Sequence, residues 1–242
     1  MNTTYFTVTL QPVNIDTNDI FIIIPCFNEQ HSIVNVVNNL LQQGYKRIVV
    51  VDDGSAESLQ TVLQHMPVVY IRHAANLGQG ASLQTGFEYA CMHRALFAVT
   101  FDADGQHQAT DIPALLEPLL SGKADVTLGS RFMEKNPSAM PSSKKIVLQL
   151  ARFINLLFSG ILLSDAHNGL RAFNQKALRT IAITENRMAH ASEILFEIRK
   201  HQLQVQEVPV QVLYTDYSLQ KGQSAFDSIK ILFDLVLHKL FR

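Results

Sequence analysis

Three short apolar runs, each broken off by a polar cluster, constrain this chain more than any other feature. Ile20-Phe21-Ile22-Ile23-Ile24 leads into Pro25-Cys26-Phe27-Asn28-Glu29, and Ile48-Val49-Val50-Val51 leads into Asp52-Asp53-Gly54-Ser55. The third, Ala98-Val99-Thr100-Phe101, leads into Asp102-Ala103-Asp104-Gly105-Gln106-His107. The runs are short and do not alternate with polar residues, as expected of strands covered on both faces of a parallel sheet. Helical patterns separate them: Ser32 to Gln43, closed by Gly44 as a C-terminal cap, then Ser55 to His65, then Ala81 to His93. Alternating strands and helices predict an α/β fold of right-handed crossover units, in which ligands sit beyond the carboxyl ends of the strands. All three polar clusters fall at such ends.

The third cluster carries the most chemistry. Two carboxylates one residue apart, Asp102 and Asp104, with the side-chain carbonyl of Gln106, offer hard oxygen ligands to one divalent cation. Mg²⁺ or Mn²⁺ suits such ligands and is commonly shared with a substrate's phosphates. Asp104 is the first choice for direct ligation, with Asp102 reaching either the metal or a ribose. An Asp-Gly pair is also an ordinary turn former, so the second acidic strand end, at Asp52-Asp53, gives the metal reading its weight. Asn76-Leu77-Gly78-Gln79-Gly80 precedes a helix, where glycines let backbone N–H groups approach an anion; a plain loop explains that pattern equally well. Arg72 ends the apolar run Val68 to Ile71, and Arg131 follows Val126-Thr127-Leu128, so both reach the edge of the sheet that holds the acidic clusters.

Six motifs in this order resemble family 2 glycosyltransferases: the three clusters above, Asn76 to Gly80, Gly129-Ser130-Arg131, and Asp165-Ala166-His167-Asn168-Gly169-Leu170-Arg171. The subgroup most resembled is that of the polyprenyl-phosphate sugar transferases, similar to dolichyl-phosphate mannose synthase. Two positions depart from the family pattern: Phe27 stands where Tyr is common, and Gln79 where Lys is common. The resemblance implies a GT-A type, Rossmann-like, mostly parallel sheet flanked by helices, with a C-terminal amphipathic helix, spanning residues 1–242 as one catalytic domain. It implies Pro25, Phe27, Glu29 and Asp53 in the base and ribose pocket, with Arg72, Asn76, Gly80 and Asp102 also on the nucleotide sugar. It implies Gln106 as a further metal or pyrophosphate contact. Arg131 falls near the acceptor phosphate or the diphosphate, with Lys145, Asn168 and Arg171 on the acceptor side. Lys221, in a loop from Tyr214 to Ser224, is expected against the diphosphate. Asp165 and Glu193 are available as general bases, and Asp165 could instead organise Asn168 and Arg171.

Composition narrows the setting. Residues 1–130 hold 5 Lys/Arg against 12 Asp/Glu, a net of −7, and residues 131–242 hold 15 against 9, a net of +6. An acidic half that binds a cation and a basic half that meets phosphate suit a transferase with an anionic acceptor. The basic residues are scattered and no nucleic-acid motif accompanies them, which argues against a nucleic-acid partner. Cys26 and Cys91 follow no disulfide or metal spacing, as expected in a reducing cytoplasm. Residues 1–19 lack the pattern of a signal peptide, and no apolar run is long enough to span a bilayer. Two amphipathic stretches, 142–163 and 225–242, have apolar faces broader than packing on one core requires. They fit a membrane interface or a homo-oligomer contact, and an ordinary buried helix explains them less well.

The expected function is therefore an inverting, Mg²⁺- or Mn²⁺-dependent transfer of a sugar from a UDP- or GDP-sugar to a polyprenyl phosphate, at the cytoplasmic face of the membrane. The alternative is transfer to a hydroxyl of a lipid-linked or soluble glycan, which needs a general base. An NAD-dependent oxidoreductase is disfavoured because Pro25 to Glu29 stands where Gly-x-Gly-x-x-Gly would follow the first strand. A nucleotidyltransferase would need an early Gly-rich basic loop, and a lipid-binding module would leave the six motifs without a task.

Overall fold

The computed structural model describes residues 16–133, 163–165, 168–187 and 189–213. Four parallel strands form the first half of the sheet: β1 (Ile20–Cys26), β2 (Arg47–Asp52), β3 (Val69–Arg72) and β4 (Phe97–Thr100). β5 (Val126–Ser130), β6 (Arg171–Asn174) and β7 (Val205–Pro209) complete a seven-stranded sheet of order β3-β2-β1-β4-β6-β5-β7. β6 runs antiparallel to both neighbours, pairing Thr100 with Arg171 and Leu128 with Arg171, whereas β7 is parallel to β5. This mixed α/β sheet, mostly parallel and flanked by helices, is the expected class. The reversal of β6 matters for the site. Its first residue lies beside the carboxyl ends of β4 and β5.

Side chains alternate across the strands and feed two cores. On one face Ile22, Ile24, Ile48, Val50 and Val99 pack with α1 (Ile33–Gln42) and α4 (Ile112–Leu120). On the other, Phe21, Ile23, Val49, Val51 and Phe173 meet α3 (Gln79–Met92), α5 (Gln175–Thr180) and α6 (His190–Lys200). Having both faces covered is why these runs read as unbroken apolar sequence. Gly86 lets α3 approach β1 closely, since a Cβ there would collide with Ile23. Gly44 closes α1 at φ +86°, as expected of the residue after a helix end.

One expected helix is corrected. From Ser55 to His65 only α2 (Gln60–Leu63) is helical. Polar side chains take the backbone groups before it. Asp52 accepts from Ser55 N at 2.9 Å, Asn28 Oδ1 from Ala56 N at 2.9 Å, and Ser58 Oγ from Gln60 N at 3.2 Å. Such local bonds compete with a helical ladder and fix a loop instead. The stretches 142–163 and 225–242 lie outside the described residues, apart from Leu163, which is buried. No described helix is long and apolar enough to cross a membrane.

The end of the sheet remote from the acidic clusters is tied by Asp125. Its carboxylate accepts from Asn174 Nδ2, Lys176 Nζ and Gln204 N, each at 2.9 Å, joining the segments that enter β5, α5 and β7. Burial works against the charged form, but the Lys176, Gln204 and Asn174 bonds outweigh it and hold its pKa below the ordinary carboxylate range. Its contribution to stability is therefore complete above the unfolded value and fades as pH falls through the lower folded value. Asp125→Ala should cost about 1–2 kcal/mol near neutral pH, because it removes three part-buried hydrogen bonds whose donors can partly turn to water. In denaturant titrations the gap between wild type and variant should shrink progressively below about pH 4.

Candidate active site

β1, β2 and β4 end at one edge, and their following residues converge on a cavity of about 260 Å³. Pro25, Cys26, Phe27, Glu29, Asp53, Gln79, Ser82, Asp102, Ala103 and Asp104 line it. Four of these are carboxylates, and none is a lysine or arginine. Phe27 is 44% exposed and so has a ring face available for stacking. Asn28 turns the chain at φ +57°, and its amide donates to Ser55 Oγ at 2.9 Å. The Phe27 to Glu29 turn and the Asp53 loop are thus locked to each other.

The paired carboxylates differ in environment. Asp102 accepts from Gln79 Nε2 at 3.1 Å and His107 Nε2 at 2.9 Å, and it rests against Gly169, where a Cβ would collide with it. Desolvation raises its pKa, but the His107 bond and the nearby His190 and Arg171 charges lower it further, so it stays well ionised. Asp104 is pushed the other way, by burial first and then by the negative charge of Asp102 and Glu29. Asp104 Oδ1 accepts the Gln106 amide at 2.9 Å, and its other oxygen accepts no hydrogen bond from the described residues. Crowded like charges with an uncommitted oxygen ligand fit a hard divalent cation, which would relieve the repulsion on Asp104. Gln106 contributes its backbone, with its carbonyl accepting Leu213 N at 2.9 Å, and its side chain is outside the cavity lining.

Beside the cavity, Arg131 forms a two-pronged pair with Asp165, Nε at 2.6 Å and Nη2 at 2.7 Å, and its amide adds a third bond at 3.1 Å. Asp165 is fully buried as a side chain and serves to hold this guanidinium. Asn168 Oδ1 accepts Leu170 N at 2.9 Å, and the Asn168 carbonyl accepts Arg171 Nε at 3.0 Å. Arg171 is buried, and its pKa falls to about 10 through desolvation while Asp102 and Asp165 pull it back up. Glu193 is also committed, accepting from Thr184 N, Thr184 Oγ1 and Glu185 N.

Other expected positions lie differently. Arg72 turns to Asp52 at 3.3 Å and to the Ser55 carbonyl at 2.8 Å, and Asn76 is exposed away from the cavity. Asn76 to Gly80 admits an anion cradle or a plain loop, and the amides of Gly78 and Gly80 are engaged within the protein. Gly78 N donates to Asp53 at 2.7 Å and Gly80 N to the Asn186 carbonyl at 2.8 Å. A Cβ at Gly80 would strike Glu185, so this glycine permits close packing of the first turn of α3 against the 185–186 backbone. Lys145 and Lys221 are outside the described residues. Two contributors, Glu207 and His73, went unseen in the sequence, and Gln79 stood out only as a departure from the family pattern. Glu207 accepts Ser164 N, Ser164 Oγ and Asp165 N, His73 bonds Asp53, and Gln79 bonds Asp102.

A mostly parallel sheet with an acidic, carboxylate-lined cavity at its strand ends is an α/β architecture that binds ligands at that edge. The family model described as glycosyl transferase family 2 matches residues 21–182, and the chain belongs to that family of glycosyltransferases. It is 37% identical over 230 residues to an uncharacterized protein of Methanocaldococcus jannaschii, covering 94% of this chain and 95% of that protein. It is 34% identical over 243 residues to the UDP-N-acetylglucosamine–dolichyl-phosphate N-acetylglucosaminyltransferase of Methanococcus voltae, covering 91% and 96%. The glucosyl-3-phosphoglycerate synthase of Mycobacterium tuberculosis, solved with Mn²⁺, UDP and glucosyl-3-phosphoglycerate, superposes with a TM-score of 0.66. At 14% identity over 94% of this chain and 86% of that one, it bears on the fold alone.

Asp165→Ala should destabilise the protein by about 3 kcal/mol or more, since it leaves Arg131 partly buried without its counter-charge. The double variant Arg131→Ala/Asp165→Ala should lose less than the two single losses added together. Urea unfolding of the four proteins measures both.

Proposed function

We propose that the protein transfers a sugar from a nucleotide-sugar donor to a polyprenyl phosphate, with a divalent cation bound at Asp104 and shared with the donor diphosphate. The observation that carries this reading is the charge of the cavity. Four carboxylates and no basic side chain line it, so a diphosphate there needs a cation between. Asp104 would hold Mg²⁺ or Mn²⁺, with Asp102 beside it. When bound, the cation stabilises negative charge on the departing nucleoside diphosphate. Phe27 stacks on the base, and Pro25, Glu29 and Asp53 complete the nucleoside end. The M. voltae relative's name pairs UDP-N-acetylglucosamine with dolichyl phosphate, which supports a UDP-linked donor and a lipid phosphate acceptor.

The choice of phosphate over hydroxyl rests on the committed carboxylates. A phosphate monoester is already a nucleophile at neutral pH, whereas a hydroxyl needs a base. Both residues available as bases from the sequence are spent: Asp165 on Arg131, and Glu193 on the Thr184-Glu185 backbone. In the inverting step an acceptor phosphate oxygen bonds the anomeric carbon as that carbon's bond to the diphosphate oxygen breaks on the opposite face. Arg131, oriented by Asp165, steers the acceptor phosphate, with Asn168 and Arg171 shaping the turn beneath it. We infer from a lipid acceptor used together with a nucleotide-sugar donor that the reaction takes place at the cytoplasmic face of the membrane.

The decisive assay is a panel of UDP- and GDP-sugars with undecaprenyl phosphate, with and without chelator. Transfer should require metal, and Asp104→Asn should lower turnover by about 10² or more with little loss of stability. Undiminished turnover after complete chelation would sink the metal assignment. Arg131→Lys keeps charge but loses the planar fork, so turnover should fall markedly while UDP affinity changes little. Equal losses in both would move Arg131 to the donor site.

A further inference from the structure

Asp53 is more tightly held than a carboxylate that only meets ligand needs to be. Its Oδ1 accepts from His73 Nδ1 at 2.8 Å and Leu77 N at 3.0 Å, and its Oδ2 accepts from Gly78 N at 2.7 Å. A carboxylate offers about four lone-pair directions, two on each oxygen. Oδ1 is thus saturated, and the remaining acceptor capacity lies on Oδ2, on a residue that lines the cavity. The two loop amides approach through one segment. His73 approaches from another, the residue after β3, and is itself only 10% exposed as a side chain.

His73 is fixed in turn. Its Nε2 lies 2.9 Å from Thr85 Oγ1, on α3. A carboxylate can only accept, so Nδ1 carries the proton toward Asp53. In the neutral ring Nε2 then accepts the Thr85 hydroxyl, which sets the tautomer and the ring plane together. The chain Thr85–His73–Asp53 therefore links α3, the end of β3 and the end of β2.

We propose that His73, oriented by Thr85, is a positioning residue that fixes the Asp53 carboxylate so that only Oδ2 is presented to an N–H or O–H donor at the nucleoside end of the donor substrate. The inference rests on the donor-site reading above and adds to it a residue outside the cavity lining. Without the imidazole, Oδ1 regains a lone pair and the carboxylate can rotate about its last torsion or recruit water. Binding of the nucleoside weakens in consequence, while the chemistry at the diphosphate is left alone.

The test uses the full chain and UDP, with Mg²⁺ or Mn²⁺ held constant. His73→Leu should weaken UDP binding in calorimetry by about 10- to 100-fold, the scale of one lost charge-assisted hydrogen bond. It should raise KM for the UDP-sugar with kcat within about threefold. His73→Asn places an amide nitrogen near the Nδ1 position and should restore most of the affinity. Thr85→Val should give a smaller loss in the same direction. UMP should suffer as UDP does, whereas inorganic pyrophosphate binding should not move. A His73→Leu protein that melts cooperatively and binds UDP within twofold of wild type overturns the inference alone, as does a His73→Asn protein no better than His73→Leu. Failure of the wild-type chain to bind any nucleoside diphosphate overturns the donor-site reading, and this inference with it.

Discussion

One buried guanidinium joins the two halves of the site. Arg171 opens β6, and the antiparallel course of that strand sets its first residue between the carboxyl ends of β4 and β5. Desolvation brings its pKa down to about 10, and the charges of Asp102 and Asp165 are what keep the cation stable there. In the proposed reaction those two carboxylates stand on the donor and acceptor sides respectively. A buried charge is tolerated only with paired counter-charges and hydrogen bonds, so each side fixes the geometry the other needs. Replacing Arg171 by a neutral residue would leave the buried Asp165 and the partly buried Asp102 to adjust separately.

The parallel half of the fold was legible because burial on both faces writes itself into composition. β1, β2 and β4 appear as unbroken apolar runs, and the polar residues that end them mark the ligand edge without further information. The helix expected from Ser55 to His65 misled because its apolar spacing ignores competition from Asp52, Asn28 and Ser58 for the same backbone groups. The glycine loop reads equally as an anion cradle or a plain loop for a related reason. Gly78 and Gly80 do free the backbone to come close, but what comes close is Asp53 and the 185–186 backbone rather than an anion. Glu207 and His73 act across 42 and 20 positions of sequence, by contacts that only the folded sheet creates. No periodicity encodes them. A residue at a strand end announces a site, whereas the residue that holds it in place is visible only once the neighbouring elements are assembled.

The same distinction separates what Asp102, Asp104 and Arg131 do. Asp102 is surrounded by donors and nearby positive groups, so its charge is already compensated and its value lies in a fixed position. Asp104, two residues on, is crowded by like charge and is the one that gains from a cation. Arg131 is balanced by Asp165 at two nitrogens, so it adds little net positive charge to its surroundings. What it can give an acceptor phosphate is direction: a planar group whose orientation is set before the substrate arrives. Preorganisation of this kind favours the transition state over loose anion binding, because its cost is met in folding rather than at each turnover. The uncompensated charge is thus concentrated at the point where a cation and a diphosphate can neutralise it.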